Sequence, residues 1–296
     1  MRAFQRCFDM ELRKAVVKNP WFWGSLLVGL ALAGMTAFQS YEMMRSGLAE
    51  ALAQWDTVNE LYSALSCYTY WMPMHGSSLF FAGLFYLVWP LLAALPYAWS
   101  WTQEAKSGLC EQVSVRVGWG TAYVTKSFAA FCSGGLVICL PLLVNLVACA
   151  CFAPAAMPRV EDMLATGMWA NAPLSDLYYT TPLLFCLVWL LVSFVAAGLW
   201  SVLVMSVSAY VDNFIASFAG MYLLLHLLAY VGSSIQLLVA SADGRGSTVA
   251  IWLNVLQVLI PGTGDLTSVM FMVAYGGMVV AIAFAVCRET LRGECP

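Results

Sequence analysis

Three sets of residues in this sequence have types and spacings that suit chemistry. The first is polar side chains inside apolar runs: His226 between Leu225 and Leu227, and Asn145 between Val144 and Leu146. A group so placed lines a substrate path or relays protons, or it simply bonds to a carbonyl or serine of a neighbouring helix. The second is Cys149 and Cys151, two thiols one residue apart. They fall short of a metal set, because no histidine lies near and two thiols do not complete a tetrahedral site. The third is the charged stretch Thr102–Lys126, with Glu104, Lys106, Glu111, Arg116 and Lys126 arranged around Ser107 and Gly108.

Other chemistries lack their residues. A phosphate-binding loop reads G-x-x-x-x-G-K-[ST]. The nearest stretches, Gly244–Thr248 and Gly262–Ser268, have no lysine. Asp265 or Thr267 there suits a helix cap better. No H-E-x-x-H zinc motif is present. No nucleophile motif accompanies the many serines, which disfavours a serine protease. No Asp or Glu lies well inside an apolar run, and proton- or sodium-driven carriers rely on such carboxylates. Energy for work by this chain therefore comes from a partner or from an ion gradient, and the missing carboxylates disfavour the gradient.

The elements that must position these residues are apolar helices. Six runs are long enough to cross a bilayer: Trp21–Phe38, Ser78–Trp101, Ser127–Cys151, Pro182–Val207, Phe214–Ala240 and Thr267–Val286. About 20 apolar residues cross a hydrocarbon core of roughly 30 Å. The chain is 62% hydrophobic and 10% charged, and no polar segment is long enough for a separate soluble domain. The expected fold is an all-α polytopic membrane protein whose single domain occupies residues 1–296. Cys132, Cys139, Cys149, Cys151, Cys186 and Cys287 fall in or beside the runs, where cysteine acts as a small hydrophobe.

The basic residues orient it. With the N-terminus in the cytoplasm, the inner side holds Arg2, Arg6, Arg13, Lys14, Lys18, Lys106, Arg116, Lys126, Arg288 and Arg292. The outer side holds only Arg45, Arg159 and Arg245. That asymmetry follows the positive-inside rule and puts both termini in the cytoplasm. Cys7, Cys110 and Cys295 then lie on the reducing side. The apolar run Val249–Ile260 ends at Pro261 and is too short to cross. It reads as an external re-entrant element within residues 241–265, before the sixth span.

Residues 2–18 predict an amphipathic helix in the membrane interface, with Phe4, Phe8, Leu12 and Ala15 on one face and Arg2, Arg6 and Arg13 opposite. Asn19 and Pro20 turn the chain into the first span. The outer loop 39–77 begins as a helix over Tyr41–Leu65. Tyr68, Tyr70 and Trp71 mark its return to the interface, and His75 reads as a solvated or capping residue. Pro90, Pro96 and Pro141 predict bent helices. Small residues four apart (Gly29 and Ala33; Ser193, Ala197 and Ser201; Ala216 and Gly220) permit close helix packing. Asp212 and Asn213 suit the N-cap of the fifth span.

The stretch Thr102–Lys126 resembles the loop between the second and third spans of ABC-2-type permeases, the membrane subunits of bacterial ABC exporters. The matching positions are Glu104, Ser107 with Gly108, a short helix Leu109–Val115, Arg116, Tyr123 and Lys126. An N-terminal interfacial helix (residues 1–20), six spans, internal termini and an external re-entrant element are also family features. The long first outer loop is a departure from the pattern.

The resemblance implies that residues 102–126 form a cytoplasmic coupling helix docking on a separate ABC ATP-binding subunit. Glu104, Lys106, Glu111 and Arg116 would pair with its charges. It implies a second permease subunit, identical or paralogous, with the first and fifth spans at the shared interface. ATP and magnesium would be bound by the partner and no cofactor by this chain. Membrane lipid is an expected partner and nucleic acid is not. The cargo would be an amphipathic drug, peptide or lipid-like molecule leaving across the bacterial cytoplasmic membrane. His226 and Asn145 are the candidates for the path. A non-transporting assembly or sensor subunit, and a polytopic enzyme acting on lipid, are the other readings.

Overall fold

The computed structural model describes residues 2–54, 65–75, 78–160, 167–168, 172, 174–211, 213–243, 259–261 and 276. Among them the regular elements are all helical. Helix α1, Arg2–Leu12, runs on through a π turn, Arg13–Val17. There follow α2 (Pro20–Gln54), a 3-10 turn (Met72–His75), α3 (Phe80–Ala94), α4 (Ser100–Lys106), α5 (Leu109–Val117) and α6 (Trp119–Phe152). The rest are α7 (Ser175–Thr180), α8 (Pro182–Val211) and α9 (Phe214–Asp243).

Four of these contain stretches long and apolar enough to cross a membrane: Pro20–Glu50, Trp119–Phe152, Pro182–Ala209 and Phe214–Ile235. The chain is thus a helical membrane protein. The run expected as one span over Ser78–Trp101 is broken instead. Helix α3 stops at Ala94, and α4 begins only at Ser100. Pro96 has no N–H to carry the helix on. Its carbonyl accepts from the Asn19 amide and, at 3.1 Å, from Trp99 Nε1. The third run starts earlier than expected, because α6 begins at Trp119 and takes in Tyr123 and Lys126. The sixth run, Thr267–Val286, lies outside the described residues except for Gly276, as does most of the re-entrant segment. Within that segment residues 259–261 are described, and Leu259 is buried with its carbonyl accepting from Trp189 Nε1 at 3.0 Å.

The core is the α6–α8 pair. Gly134 and Gly135 let α8 approach so closely that a methyl on Gly134 would lie 2.7 Å from Ser201 Cβ and 2.8 Å from the Ala93 carbonyl. The aromatic residues mesh reciprocally. Phe194 of α8 fills the space over Gly135, Phe131 of α6 fills the space over Gly198, and the two rings meet edge to face at 5.5 Å. Gly29 of α2 receives Pro141 of α6 in the same way. Trp200 Nε1 donates to the Pro90 carbonyl at 2.9 Å, which ties α8 to α3. Gly135→Ala should therefore lower stability by about 1–3 kcal/mol, the usual cost of overpacking. A thermal unfolding series in one detergent checks this; Gly24→Ala, facing open space, is the control.

Small-residue positions thus divide. Gly29 with Ala33, and Ser193 with Ala197 and Ser201, are used within the chain. Ala216 and Gly220 on α9 stay exposed among the described residues, and nothing lies within 4 Å of where a Gly220 methyl would stand.

The bundle has two ends. Helices α1, α4 and α5 sit at the one where α2 and α6 begin, the near end. Residues 65–75, 153–160 and 174–180 sit at the other, the far end.

Candidate functional site

The near end is organised by a helix–turn–helix between α3 and α6. Gly108 takes φ +72°, the left-handed region open to glycine, and so turns α4 directly into α5. The Ser107 hydroxyl closes the turn on the Glu104 carbonyl at 3.1 Å. Gly118, at φ +84°, ends α5 and starts α6. The helix expected over Leu109–Val115 is two residues longer, Leu109–Val117. Its inner edge is Cys110 and Ser114, both buried. Its outer face carries Leu109, Glu111, Gln112, Val115 and Arg116, all exposed, with Val115 at 87%. Lys106 and Ser107 are exposed beside it.

Glu104 turns the other way and joins a closed ring of four charges. Lys14 Nζ lies 3.3 Å from Glu11 Oε1 and 3.3 Å from Glu104 Oε1. Lys126 Nζ lies 3.3 Å from Glu11 Oε2 and 2.5 Å from Glu104 Oε2. Every charge touches two of the opposite sign, and the sum is zero. The Tyr97 hydroxyl also donates to Glu11 Oε2, and its ring lies 5.6 Å from the Lys126 ammonium. Side-chain exposure is 2% for Glu11, 4% for Lys126, 17% for Glu104 and 34% for Lys14. Beside the ring, Cys7, Cys110, Trp101 and Trp119 help to line a cavity of about 10 Å³, room for one water.

Four separate pieces of chain meet here: the N-terminal helix and its π turn, the turn after α3, the start of the loop, and the first turns of α6. Neighbouring bonds fasten the same joint. Cys7 Sγ lies 3.4 Å from Thr125 Oγ1. The Thr102 hydroxyl donates to Ser208 Oγ at 3.0 Å, and Tyr123 and Ser206 share a 2.9 Å bond, so α4 and α6 are both fixed to the end of α8.

The ring lies on the seam by which α1 packs against the bundle. That seam is Cys7, Glu11 and Ala15, whereas Phe4 is 39% exposed. Glu11 is buried because its charge is paired. Sequence reasoning missed Glu11, Lys14 and Tyr97 as members of the cluster that takes in Glu104. The signal available was an acid at Glu11, between Cys7 and Ala15 at helical spacing.

Burial by itself would raise the Glu11 pKa. Lys126, the Tyr97 hydroxyl and Lys14 outweigh it and hold the carboxyl below its ordinary value of 4.5. Burial would lower Lys14, and Glu11 and Glu104 together raise it above 10.5. A carboxyl depressed in the folded state stabilises above its unfolded pKa, and that contribution vanishes as pH falls through the folded value. A raised lysine stabilises below its unfolded pKa and loses this as pH climbs through the folded one. The melting temperature of the wild type should therefore fall on acidification from about pH 4.5. Glu11→Gln should start lower at neutral pH and fall less over that interval. Parallel slopes in the two proteins would contradict the pairing.

The path candidates have separate partners. Asn145 is fully buried on α6; its Nδ2 donates to the Ala33 carbonyl at 2.8 Å and its Oδ1 accepts from the Met72 N–H at 2.8 Å. His226 is half-buried on α9; Nδ1 bonds to the Tyr222 carbonyl one turn back at 3.0 Å, and its ring lies 4.2 Å from that of Tyr222. Cys149 is buried and Cys151 exposed, so the two thiols do not converge. Of the two roles expected of His75, solvated or capping, the first does not hold: it is 8% exposed, stacks on Tyr70 and bonds Ser78 Oγ at 3.1 Å. Asn213 caps α9 by accepting from Ile215 N at 3.1 Å. No family model matches the chain, and neither does any curated protein or solved structure.

Proposed function

We propose that the chain is the membrane-spanning permease subunit of an ATP-driven exporter of the ABC-2 type. The observation that carries this reading is the near-end helix–turn–helix. A short helix with an outward face of mixed charge and one bare valine is held by a buried ion ring to the N-terminal helix and to α6. An exposed surface helix that served only to link two spans would have no need of such anchoring. A surface that receives a push does need it, because force applied to α5 must reach α6 rather than bend the loop.

In this reading the near end is cytoplasmic, and α5 docks on an ATP-binding subunit through Lys106, Glu111 and Arg116 around Val115. ATP and magnesium stay on that partner. Closure of its domains moves the loop, and the ring passes the motion to α1 and α6 together. Ala216 and Gly220 on α9, exposed among the described residues, support a second permease at that face. The membrane is the bacterial cytoplasmic membrane, and the cargo is an amphipathic drug, peptide or lipid-like molecule.

The test is to purify the full-length tagged protein in mild detergent from its native host and identify what comes with it. A stoichiometric ATP-binding subunit is the expected result. If the chain comes alone, the exporter reading falls and a non-transporting assembly or sensor subunit takes its place.

A further inference from the structure

Residues 66–75 do not return along the interface as their aromatic content suggests. They enter the bundle. Trp71 and Met72 are 0% exposed and Cys67 is 2% exposed. Trp71 Nε1 donates to the Leu142 carbonyl at 3.0 Å and the Met72 N–H donates to Asn145 Oδ1 at 2.8 Å. The Tyr70 carbonyl accepts from Ser40 Oγ of α2 at 3.2 Å and from Cys149 Sγ of α6 at 3.3 Å. At the rim, Cys67 N donates to the Pro154 carbonyl at 2.9 Å and the Ser66 hydroxyl to the Ala156 carbonyl at 2.7 Å. Asn145 lies two turns before the end of α6, which is about 10 Å below the far end at 1.5 Å per residue.

Irregular backbone at that depth is stable only if its polar groups find partners in the protein. Here side chains of α2 and α6 provide them. Asn145 occupies the decisive place, because its amide faces two ways. The Nδ2 end joins α6 to α2 through Ala33, and the Oδ1 end holds the inserted segment. The first bond survives if the second is broken.

We propose that residues 66–75 are a re-entrant plug that closes the far end of the bundle between α2 and α6, with Asn145 as its latch. The plug leaves without separating the two helices, because the Ala33 bond does not depend on it. In an exporter the far end has to open for cargo to leave, and withdrawing this segment opens it; that use rests on the permease reading, whereas the plug and latch do not.

Native cysteines report on it. The full-length protein in lipid nanodiscs, with both ends open to solvent, is treated with a small maleimide, and labelling is followed residue by residue by peptide mass spectrometry. In the wild type, buried Cys67 should react at least about tenfold more slowly than exposed Cys151, since only local opening reveals it. Asn145→Leu removes both amide bonds and should speed labelling of Cys67 and Cys149 by about tenfold or more, leaving buried Cys7 and Cys110 at the near end unchanged; Ser40→Ala, which frees the Tyr70 carbonyl from α2 and keeps the Ala33 bond, should speed Cys67 in the same direction. Equal wild-type rates at Cys67 and Cys151 would overturn the plug. Continued protection of Cys67 in Asn145→Leu would overturn the latch. Unmasking of Cys7 and Cys110 as well would overturn withdrawal as an independent step. The labelling needs no ATP-binding subunit, so its failure is distinguishable from failure of the exporter reading.

Discussion

Lys126→Met is expected to destabilise the protein by about 3–5 kcal/mol, the usual effect of removing one partner from a buried ion pair. The methionine fills the volume but leaves Glu11 and Glu104 facing each other, with only Lys14 between them. Glu11 is the more exposed to harm, because at 2% exposure water cannot replace the lost ammonium. Against a total stability of roughly 5–15 kcal/mol this is a large share. Glu11→Met in the same background should recover much of the loss, since an apolar pair of similar volume is often as stable as the ions it replaces. The remaining Lys14–Glu104 pair is partly exposed and tolerates isolation. Thermal unfolding of the two single variants and the double variant forms a cycle, and additive losses would show that the ring is not a unit.

Reversing the outer face should do the opposite: a small effect on stability and a large one on assembly. Lys106→Glu with Arg116→Glu changes two exposed side chains that make no ion pair among the described residues. Stability should stay within about 0.5 kcal/mol, as for most surface substitutions. Association with the proposed ATP-binding subunit should weaken by about a hundredfold, equivalent to nearly 3 kcal/mol for two reversed charges at an interface. Pull-down under matched detergent and salt measures it. Glu104→Lys is the informative contrast, because it should lower stability and association together through loss of the ring. If outer-face reversal leaves association intact, α5 is not the docking surface.

What could be read from the sequence were features set by local pattern. Apolar runs gave the spans of α2, α6, α8 and α9, Gly108 marked the turn between α4 and α5, and Asn213 marked a cap. What escaped depended on distant partners. Glu104 reads as a loop charge until Glu11 and Lys14, some 90 positions earlier, come beside it. Apolar periodicity placed Phe4, Phe8, Leu12 and Ala15 on one face of α1 for the membrane interface and gave no sign of the packed seam at Glu11, because no such measure credits an acid with a partner. The plug escaped for a related reason. Tyr70 and Trp71 have the composition of an interface belt, and each bond that holds the segment inside has a backbone N–H or carbonyl on one side, which leaves no mark in the sequence.

The reciprocal fit of Phe131 over Gly198 and Phe194 over Gly135 has a mechanical meaning. Two teeth set in opposite directions forbid both sliding and rolling, since either would drive a ring into a helix backbone. Helices α6 and α8 therefore behave as one stiff block, and a displacement delivered at Lys126 arrives at the far end of both. Change of shape is left to the elements outside the block: α9, one face of which is exposed among the described residues, and the inserted segment, which is held by hydrogen bonds rather than by interlocked rings.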